Sequence, residues 1–122
     1  MPTLYVVATP IGNLGDMSPR AIETLRSVQL IAAEDTRVTM KLLNAFDIST
    51  PLTSCHEHNE RSKAAQIAQR MLAENIDVAV TTDAGTPCIS DPGSVLVREA
   101  AERGIPVVAV SGPTAMASAL SV

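Results

Sequence analysis

Short apolar runs recur along the chain and are separated by segments with helical patterning. The run LYVVA at 4–8 is apolar throughout, and VAV at 78–80 and VVAV at 107–110 are similar to it. Because such runs lack a regular polar alternation, they predict strands that are buried on both faces, as in a parallel sheet. The five predicted strands cover 4–8, 28–33, a weaker 52–55, 78–82 and 106–110.

Helical signals fill the intervals between these strands. Ser18 and Pro19 are a capping residue and a first-turn proline, so a helix is predicted to begin there. The segment 60–75 gives the clearest pattern, because its apolar residues recur three or four positions apart and form one face. The residues of that face are Ala64, Ile67, Ala68, Met71 and Leu72. The other predicted helices cover 40–46 and 94–103, the latter ended by Gly104.

The alternation of strands and helices predicts an α/β fold. We expect a three-layer sandwich in which a mostly parallel sheet of about five strands is flanked by helices. No charged residue follows Arg103, and TAMASALSV at 114–122 has the composition of a buried helix. We accordingly expect 1–112 to be the N-terminal α/β domain of a longer protein, and 113–122 to start the linker helix to a C-terminal domain.

Composition narrows the classes of function. The chain has 122 residues, enough for one domain with a core, and a net charge of −4. Tyr5 and Phe46 are its only aromatic residues, which argues against a surface on which bases stack. The acidic balance argues against this segment binding nucleic acid by itself. Two cysteines define no disulfide framework and no apolar run reaches the length of a membrane span, so a cytoplasmic location without membrane contact is expected.

The stretch TTDAGTPCISDPG at 81–93 differs from an ordinary turn. Its glycines, prolines and aspartates rule out a regular element, and it is longer than a plain strand-to-helix connection. It follows a predicted strand, and open α/β sheets bind ligands at the carboxyl ends of their strands. Gly85 would let a ligand approach the backbone closely. The stretch is therefore a candidate ligand-binding loop; the alternative is a loop without a ligand, in which Asp91 caps the next helix and Pro92 occupies its first turn.

The first loop comes close to a dinucleotide-binding fingerprint. Pro10, Gly12 and Gly15 follow the spacing of the Rossmann motif, and Glu34 lies about twenty residues further on, where a ribose-binding acid would sit. Proline, however, stands where the glycine of the tight turn belongs. The helix start at 18–19 also lies beyond the glycines, so no helix terminus would meet a pyrophosphate directly. A Rossmann-like nucleotide-binding domain is therefore an alternative rather than the first choice.

Glu34, Asp35 and Arg37 are the strongest catalytic candidates by position. They follow the predicted strand 28–33 at its carboxyl end, the edge that also carries the two glycine-containing loops. The alternative is structural, with Asp35 or Thr36 capping the next helix and Arg37 pairing with Glu34. Both interpretations can hold for different atoms of the same residues.

The cysteines and histidines do not predict a metal site. Cys55, His56 and His58 are close in sequence, but their spacing matches no common zinc motif and only three ligands are clustered. We interpret them as a polar strand end and predict no metal. Cys88 has no histidine, lysine or arginine nearby to make it a thiolate, so a packing role is expected.

Four motifs taken together resemble a known family. LYVVATPIGNLGDMSPRA at 4–21, AAEDTR at 32–37, DAGTPCISDPG at 83–93 and VSGPTA at 110–115 are similar to the N-terminal half of the tetrapyrrole methylase superfamily. Within it they resemble the branch that methylates ribosomal RNA. The first three motifs are specific in combination, whereas VSGPTA alone is weak. The resemblance implies two α/β domains with S-adenosyl-L-methionine bound in the cleft between them, and a homodimer.

The resemblance also implies roles for individual residues. Asp35 occupies the position of an acid proposed as a base in porphyrin-modifying relatives, with Glu34 and Arg37 beside it. The residues that the resemblance assigns to S-adenosyl-L-methionine are Ile11, Asp83, Ala84, Gly85, Thr86, Pro87, Ile89, Ser90, Thr114 and Ala115.

Two loops depart from the pattern of the porphyrin-modifying relatives. Those proteins usually have a glycine-rich first loop and Gly-Asp-Pro in the central loop, whereas this chain has TPIG at 9–12 and TDA at 82–84. The difference fits another methyl acceptor. The reaction implied is methylation of a cytidine 2′-hydroxyl in 16S rRNA of the small ribosomal subunit, with these 122 residues inactive by themselves. A tetrapyrrole methyltransferase of the same fold, acting on a porphyrin precursor, is the alternative.

Overall fold

The computed structural model contains a parallel sheet between two layers of helices, and it describes residues 2–9, 17–33, 35–55, 60–82 and 91–110. The elements in chain order are β1 Leu4–Ala8, α1 Pro19–Ser27, β2 Leu30–Ala33, α2 Thr36–Ala45, β3 Leu52–Ser54, α3 Glu60–Glu74, β4 Val78–Thr82, α4 Asp91–Glu102 and β5 Val107–Val110. The five strands are parallel and lie in the order β3-β2-β4-β1-β5. The predicted α/β fold, with its parallel sheet flanked by helices, is confirmed.

The two faces of the sheet carry different helix pairs. Val6 and Val80 point to the face that α3 and α4 cover, whereas Val7 and Ala79 point to the face that α1 and α2 cover. Strand side chains alternate between faces, so every second residue of a strand joins the same core cluster. From β1 to β2 to β3, each strand lies further toward one edge of the sheet. From β3 to β4 to β5, each strand lies further toward the other edge. Right-handed crossovers then require the two helix pairs to lie on opposite faces.

Local signals explain where several helices begin and end. The Ser18 side chain accepts a hydrogen bond from the Ala21 N–H at 3.1 Å, which confirms the predicted start of α1. Asp47, Asn75 and Gly104 follow α2, α3 and α4 with φ of 56°, 54° and 77°. The backbone of these residues has the left-handed conformation, which ends each helix.

Three strand boundaries and one side chain differ from the sequence prediction, and the second helix covers Thr36–Ala45 rather than 40–46. The second strand begins at Leu30 rather than 28, because the Val28 N–H donates to the Thr24 carbonyl and completes the end of α1. The third strand ends at Ser54 and the fifth begins at Val107, each one residue inside its predicted range. Leu72 is 49% exposed, because it lies one position around α3 from the buried Met71, at the margin of the apolar face.

The fourth helix begins earlier than predicted. Its first residue is Asp91, whereas the sequence pattern placed the start at 94. Asp91 and Pro92 therefore belong to the first turn of α4. Pro92 is compatible with this position, because the first N–H groups of a helix have no intrahelical acceptor.

Gly104 offers a direct test of the helix-ending geometry. A Cβ added at this position would meet nothing within 4 Å, so only the backbone opposes a side chain there. With φ at 77°, Gly104→Ala should lower the free energy of unfolding by about 1 kcal/mol. Gly104→Asn should lower it less, since asparagine tolerates this conformation better than alanine. Urea unfolding of both variants measures the difference, and equal losses would contradict a conformational origin.

Candidate functional site

The predicted site residues follow the carboxyl ends of four parallel strands. Ala8 of β1 pairs with Thr82 of β4, and Val7 pairs with Val110 of β5. On the other side of β4, Ala32 of β2 pairs with Val80. Because parallel strands end at one edge of the sheet, the segments that continue from β1, β2, β4 and β5 all start there. Most of the proposed cofactor and catalytic positions lie in these segments, outside the described residues: Ile11, Glu34, Asp83, Ala84, Gly85, Thr86, Pro87, Ile89, Ser90, Thr114 and Ala115.

The connections from β1 and β4 diverge at this edge. The two strands are neighbours, yet α1 lies on one face of the sheet and α4 on the other. Beyond the described strand ends, the next described helix lies on one face after β1 and on the opposite face after β4. Adjacent strands with diverging connections leave a crevice at the carboxyl edge, which is where open α/β sheets bind ligands.

Small buried side chains line the described strand ends at this edge. Ala8 ends β1, Ala33 ends β2 and Thr81 lies one residue before the end of β4; their exposures are 6%, 0% and 3%. Thr9, which follows β1, is also buried. Side chains of this size let a ligand come close to the backbone. The edge therefore fits a ligand that is recognised by main-chain groups and hydroxyls.

Asp35 caps the helix that leaves this edge. Its Oδ1 accepts hydrogen bonds from the N–H groups of Arg37 at 3.0 Å and Val38 at 3.4 Å. The structural alternative considered from the sequence, in which Asp35 caps the next helix, is thus confirmed. The Asp35 side chain is 40% exposed, so the capping interaction does not bury the carboxylate. Within the described residues the hydrogen bonds and the ion pair of this carboxylate use Oδ1.

Arg37 points outward from the same turn. Its Nε lies 3.7 Å from Asp35 Oδ1, and its side chain is 90% exposed. The structural alternative from the sequence pairs Arg37 with Glu34, which lies outside the described residues. The described partner is Asp35, because capping brings this carboxylate back over the first turn of α2. At such exposure the ion pair contributes little to stability and leaves the guanidinium available to a partner.

A pair of threonines links this helix to the central strand. The hydroxyl oxygens of Thr39 in α2 and Thr81 in β4 lie 3.5 Å apart, and both residues are buried, with 4% and 3% exposure. The sequence analysis missed this pair, because its members lie far apart along the chain. The available signal was Thr39 itself, a polar residue at a core-facing position three before Leu42. The contact fixes the Asp35-capped helix against the strand that leads into the central loop.

Three further observations concern metal binding, the cysteines and membrane-spanning helices. No group of three or more metal-binding side chains occurs among residues 2–9, 17–33, 35–55, 60–82 and 91–110. Cys55 is buried within the core beside α3, whereas His56, His58 and Cys88 lie outside these ranges. None of the described helices has both the length and the apolar character needed to cross a membrane.

Comparison with known proteins connects this arrangement to one family. The family model for Tetrapyrrole (Corrin/Porphyrin) Methylases matches residues 3–122. Ribosomal RNA small subunit methyltransferase I of Pseudomonas aeruginosa is 56% identical over 119 residues, and the protein of the same name from Synechocystis sp. is 52% identical over 120 residues. Each match covers 98% of the chain, and 42% and 43% of the respective relative. The chain thus spans less than half the length of these relatives.

Solved structures share the fold at much lower sequence identity. Uroporphyrin-III-C-methyltransferase from Thermus thermophilus aligns with a TM-score of 0.69 and 17% identity, covering 91% of this chain and 47% of that one. A conserved hypothetical protein from Aeropyrum pernix K1 aligns with a TM-score of 0.69 and 20% identity, covering 91% and 39%. These likenesses support the three-layer architecture alone.

Proposed function

Because the chain belongs to the tetrapyrrole methylase family, we propose that it forms the N-terminal domain of a methyltransferase that uses S-adenosyl-L-methionine and acts on ribosomal RNA. The acceptor in this proposal is a cytidine 2′-hydroxyl in 16S rRNA of the small ribosomal subunit. The proposal that rRNA is the substrate rests on the 56% and 52% identity to two relatives named as methyltransferases of small-subunit rRNA. The corresponding identity to the uroporphyrin enzyme is 17%, which favours RNA over a tetrapyrrole as the acceptor.

The carboxyl edge supports this assignment of the cofactor site. The carboxyl edge of β1 and β4 has small buried residues at its strand ends and diverging connections, which suits a polar donor such as S-adenosyl-L-methionine. In our proposal the residues that hold it are Ile11, Asp83, Ala84, Gly85, Thr86, Pro87, Ile89, Ser90, Thr114 and Ala115. When bound, S-adenosyl-L-methionine supplies an electrophilic methyl group on a sulfonium centre. A homodimer, in which a second domain completes each cleft, is also part of the proposal.

Asp35 is the residue proposed to act on the acceptor. A ribose hydroxyl is a poor nucleophile, so a positioned base that takes its proton accelerates attack on the methyl group. The capping bonds hold the Asp35 carboxylate at the start of α2, and its 40% exposure lets an RNA ribose reach it. Glu34 and Arg37 flank it in sequence and complete the proposed catalytic group. Alignment of the donor and the acceptor supplies the remaining acceleration, because methyl transfer is an in-line displacement.

Labelled methyl transfer tests the proposed function. The protein in its natural full length would be incubated with small ribosomal subunits that lack the modification and with S-adenosyl-L-methionine labelled in its methyl group. We expect label in 16S rRNA at a position that resists alkaline cleavage, since a 2′-O-methyl group removes the hydroxyl that alkali requires. Label on a base, or only on an added porphyrin precursor, would contradict the proposed acceptor.

Asp83 is the cofactor-site residue whose replacement we expect to matter most for donor binding. It directly follows Thr82, the last residue of the central strand β4. Hydrogen bonds to a charged group contribute about 1.5–3 kcal/mol, so Asp83→Ala should weaken binding of S-adenosyl-L-methionine by about 10- to 100-fold. Calorimetry on the full-length protein measures this effect. Glu102→Ala, at the exposed end of α4, is the matched control and should bind normally. Normal binding by Asp83→Ala would show that the central loop serves only to connect β4 and α4.

A further inference from the structure

The outer surface of α2 differs from the other helix surfaces of the domain. Thr39, Leu42 and Leu43 face the sheet and are buried. Arg37, Lys41 and Asn44 recur at spacings of four and three on the opposite side, where all three are exposed. We call these three residues the α2 ridge. It begins in the turn that Asp35 caps, so it extends from the carboxyl edge where the site residues are anchored.

The α2 ridge is cationic on a chain with net negative charge. Thr36–Ala45 contains Arg37 and Lys41 and no aspartate or glutamate, although the whole chain carries −4. The other helices each contain acidic residues, as their sequences show. The nearest acidic side chains in sequence that the structure describes are Asp35 before the helix and Asp47 after it. Among the described helices, α2 is therefore the one that carries cationic side chains without acidic ones.

The two cations of the ridge are less neutralised than Arg70 of α3 and Arg103, which follows α4. Arg70 pairs with Glu74 at 3.0 Å, and Arg103 pairs with Glu99 at 3.2 Å. Arg37 is 90% exposed and 3.7 Å from its carboxylate. Across the ranges that the structure describes, Lys41 has no ion-pair partner. Both charges thus remain available for an anionic partner.

Apolar side chains flank the ridge on both sides. Val38 and Met40 are 53% and 46% exposed, and they are the two most exposed large apolar residues of α2. A surface that combines exposed cations with exposed aliphatic groups suits a partner that offers regularly spaced anions together with apolar faces. Single-stranded RNA has this chemistry, with phosphates along its backbone and sugar and base faces between them. A second copy of this chain is a poorer fit, because a symmetric contact would place like charges against each other.

We propose that the α2 ridge binds the phosphate backbone of the RNA substrate next to the methyl-transfer site. This inference rests on the proposed function, since it assigns the RNA-contacting surface of the same site. Arg37 and Lys41 are separated by about 6 Å along the helix axis, so they can contact phosphates that are close together on one strand. Asp35 lies at the head of the ridge, where the bound strand would present a ribose.

The salt dependence of RNA binding tests whether the α2 ridge contacts RNA phosphates. The variants are Arg37→Gln and Lys41→Gln, with Arg98→Gln as the matched control. Arg98 is an exposed cation on α4, and α4 covers the opposite face of the sheet. Binding of each full-length variant to small ribosomal subunits would be measured over a range of salt concentrations. Each ridge variant should reduce the slope of log K against log salt by about 0.7–0.9 and weaken binding about 3- to 10-fold at low salt, whereas Arg98→Gln should match the wild type.

A kinetic readout separates RNA contact from a general defect. Lys41→Gln should raise the KM for small ribosomal subunits while kcat and the affinity for S-adenosyl-L-methionine stay at wild-type values. If both ridge variants keep the wild-type salt slope, and the wild-type protein does methylate rRNA, the α2 ridge does not bind RNA but the proposed function still holds. A change in the oligomeric state of the ridge variants, seen by sedimentation, would identify the ridge as a protein interface and likewise overturn it. Failure of the wild-type protein to label rRNA would overturn the proposed function, and the slopes would still decide whether the ridge binds RNA.

Discussion

Replacing Asp35 with asparagine should slow methyl transfer by about 100- to 10,000-fold, the range that a general base contributes. Asparagine has the same shape and is as good a helix cap as aspartate, because its side-chain oxygen can accept the same two N–H groups. The bonds now made to Arg37 and Val38, at 3.0 and 3.4 Å, can therefore persist. What is lost is the carboxylate that would take the proton of the acceptor. The rate should be measured in a single turnover with saturating cofactor, so that product release does not hide the chemical step.

Asp35→Ala is the matched variant that separates catalysis from capping. Alanine removes both the carboxylate and the cap, so it should lose the same activity and also lower the free energy of unfolding by about 1 kcal/mol. Asp35→Asn should lose only a few tenths of a kcal/mol, from the charge at the helix N-terminus. If Asp35→Asn transfers methyl groups at the wild-type rate and Asp35→Ala is merely less stable, Asp35 is a structural cap and the base lies elsewhere.

The second large effect concerns the core between the sheet and α3. Met71 is fully buried, and it packs in the cluster that contains Val78 and Leu96. Met71→Ala should lower the free energy of unfolding by about 2–5 kcal/mol, through lost transfer energy and the cavity that remains. Leu72, its neighbour in sequence, is 49% exposed, so Leu72→Ala should change stability by about 0.5 kcal/mol or less. Denaturant unfolding of the two variants measures this contrast. Similar losses for both would mean that α3 packs in a different rotation.

The pattern of apolar residues predicted the elements of this fold but not their order in the sheet. Strands such as Leu4–Ala8 are apolar at every position, and burial on both faces requires that composition. The placement of β1 between β4 and β5 depends on pairings such as Leu4 with Val78 and with Val107. Such contacts join residues far apart in sequence, and periodicity within a segment contains no information about them.

The candidate site also has features that the sequence could predict and features that it could not. The capping role of Asp35 could be predicted, because it depends only on the three residues that follow it. The contact between Thr39 and Thr81 could not, since it depends on which strand lies beneath α2. The cofactor residues from Ile11 to Ala115 came from family resemblance alone, because glycine, proline and small polar residues in loops are compatible with many ligands. They remain predictions.

The central position of β1 also affects how the protein is synthesised. During translation β1 emerges well before β4 and β5, although it must hydrogen-bond to both of them. The nascent chain therefore carries β1 without a partner until β4 has left the ribosome, and with one edge unpaired until Val110 has left it. Native contacts that span such long sequence distances slow folding, and exposed strands of this kind promote aggregation in the meantime. Among the described strands, the pairing of β1 is therefore completed by β5, the one that is synthesised last.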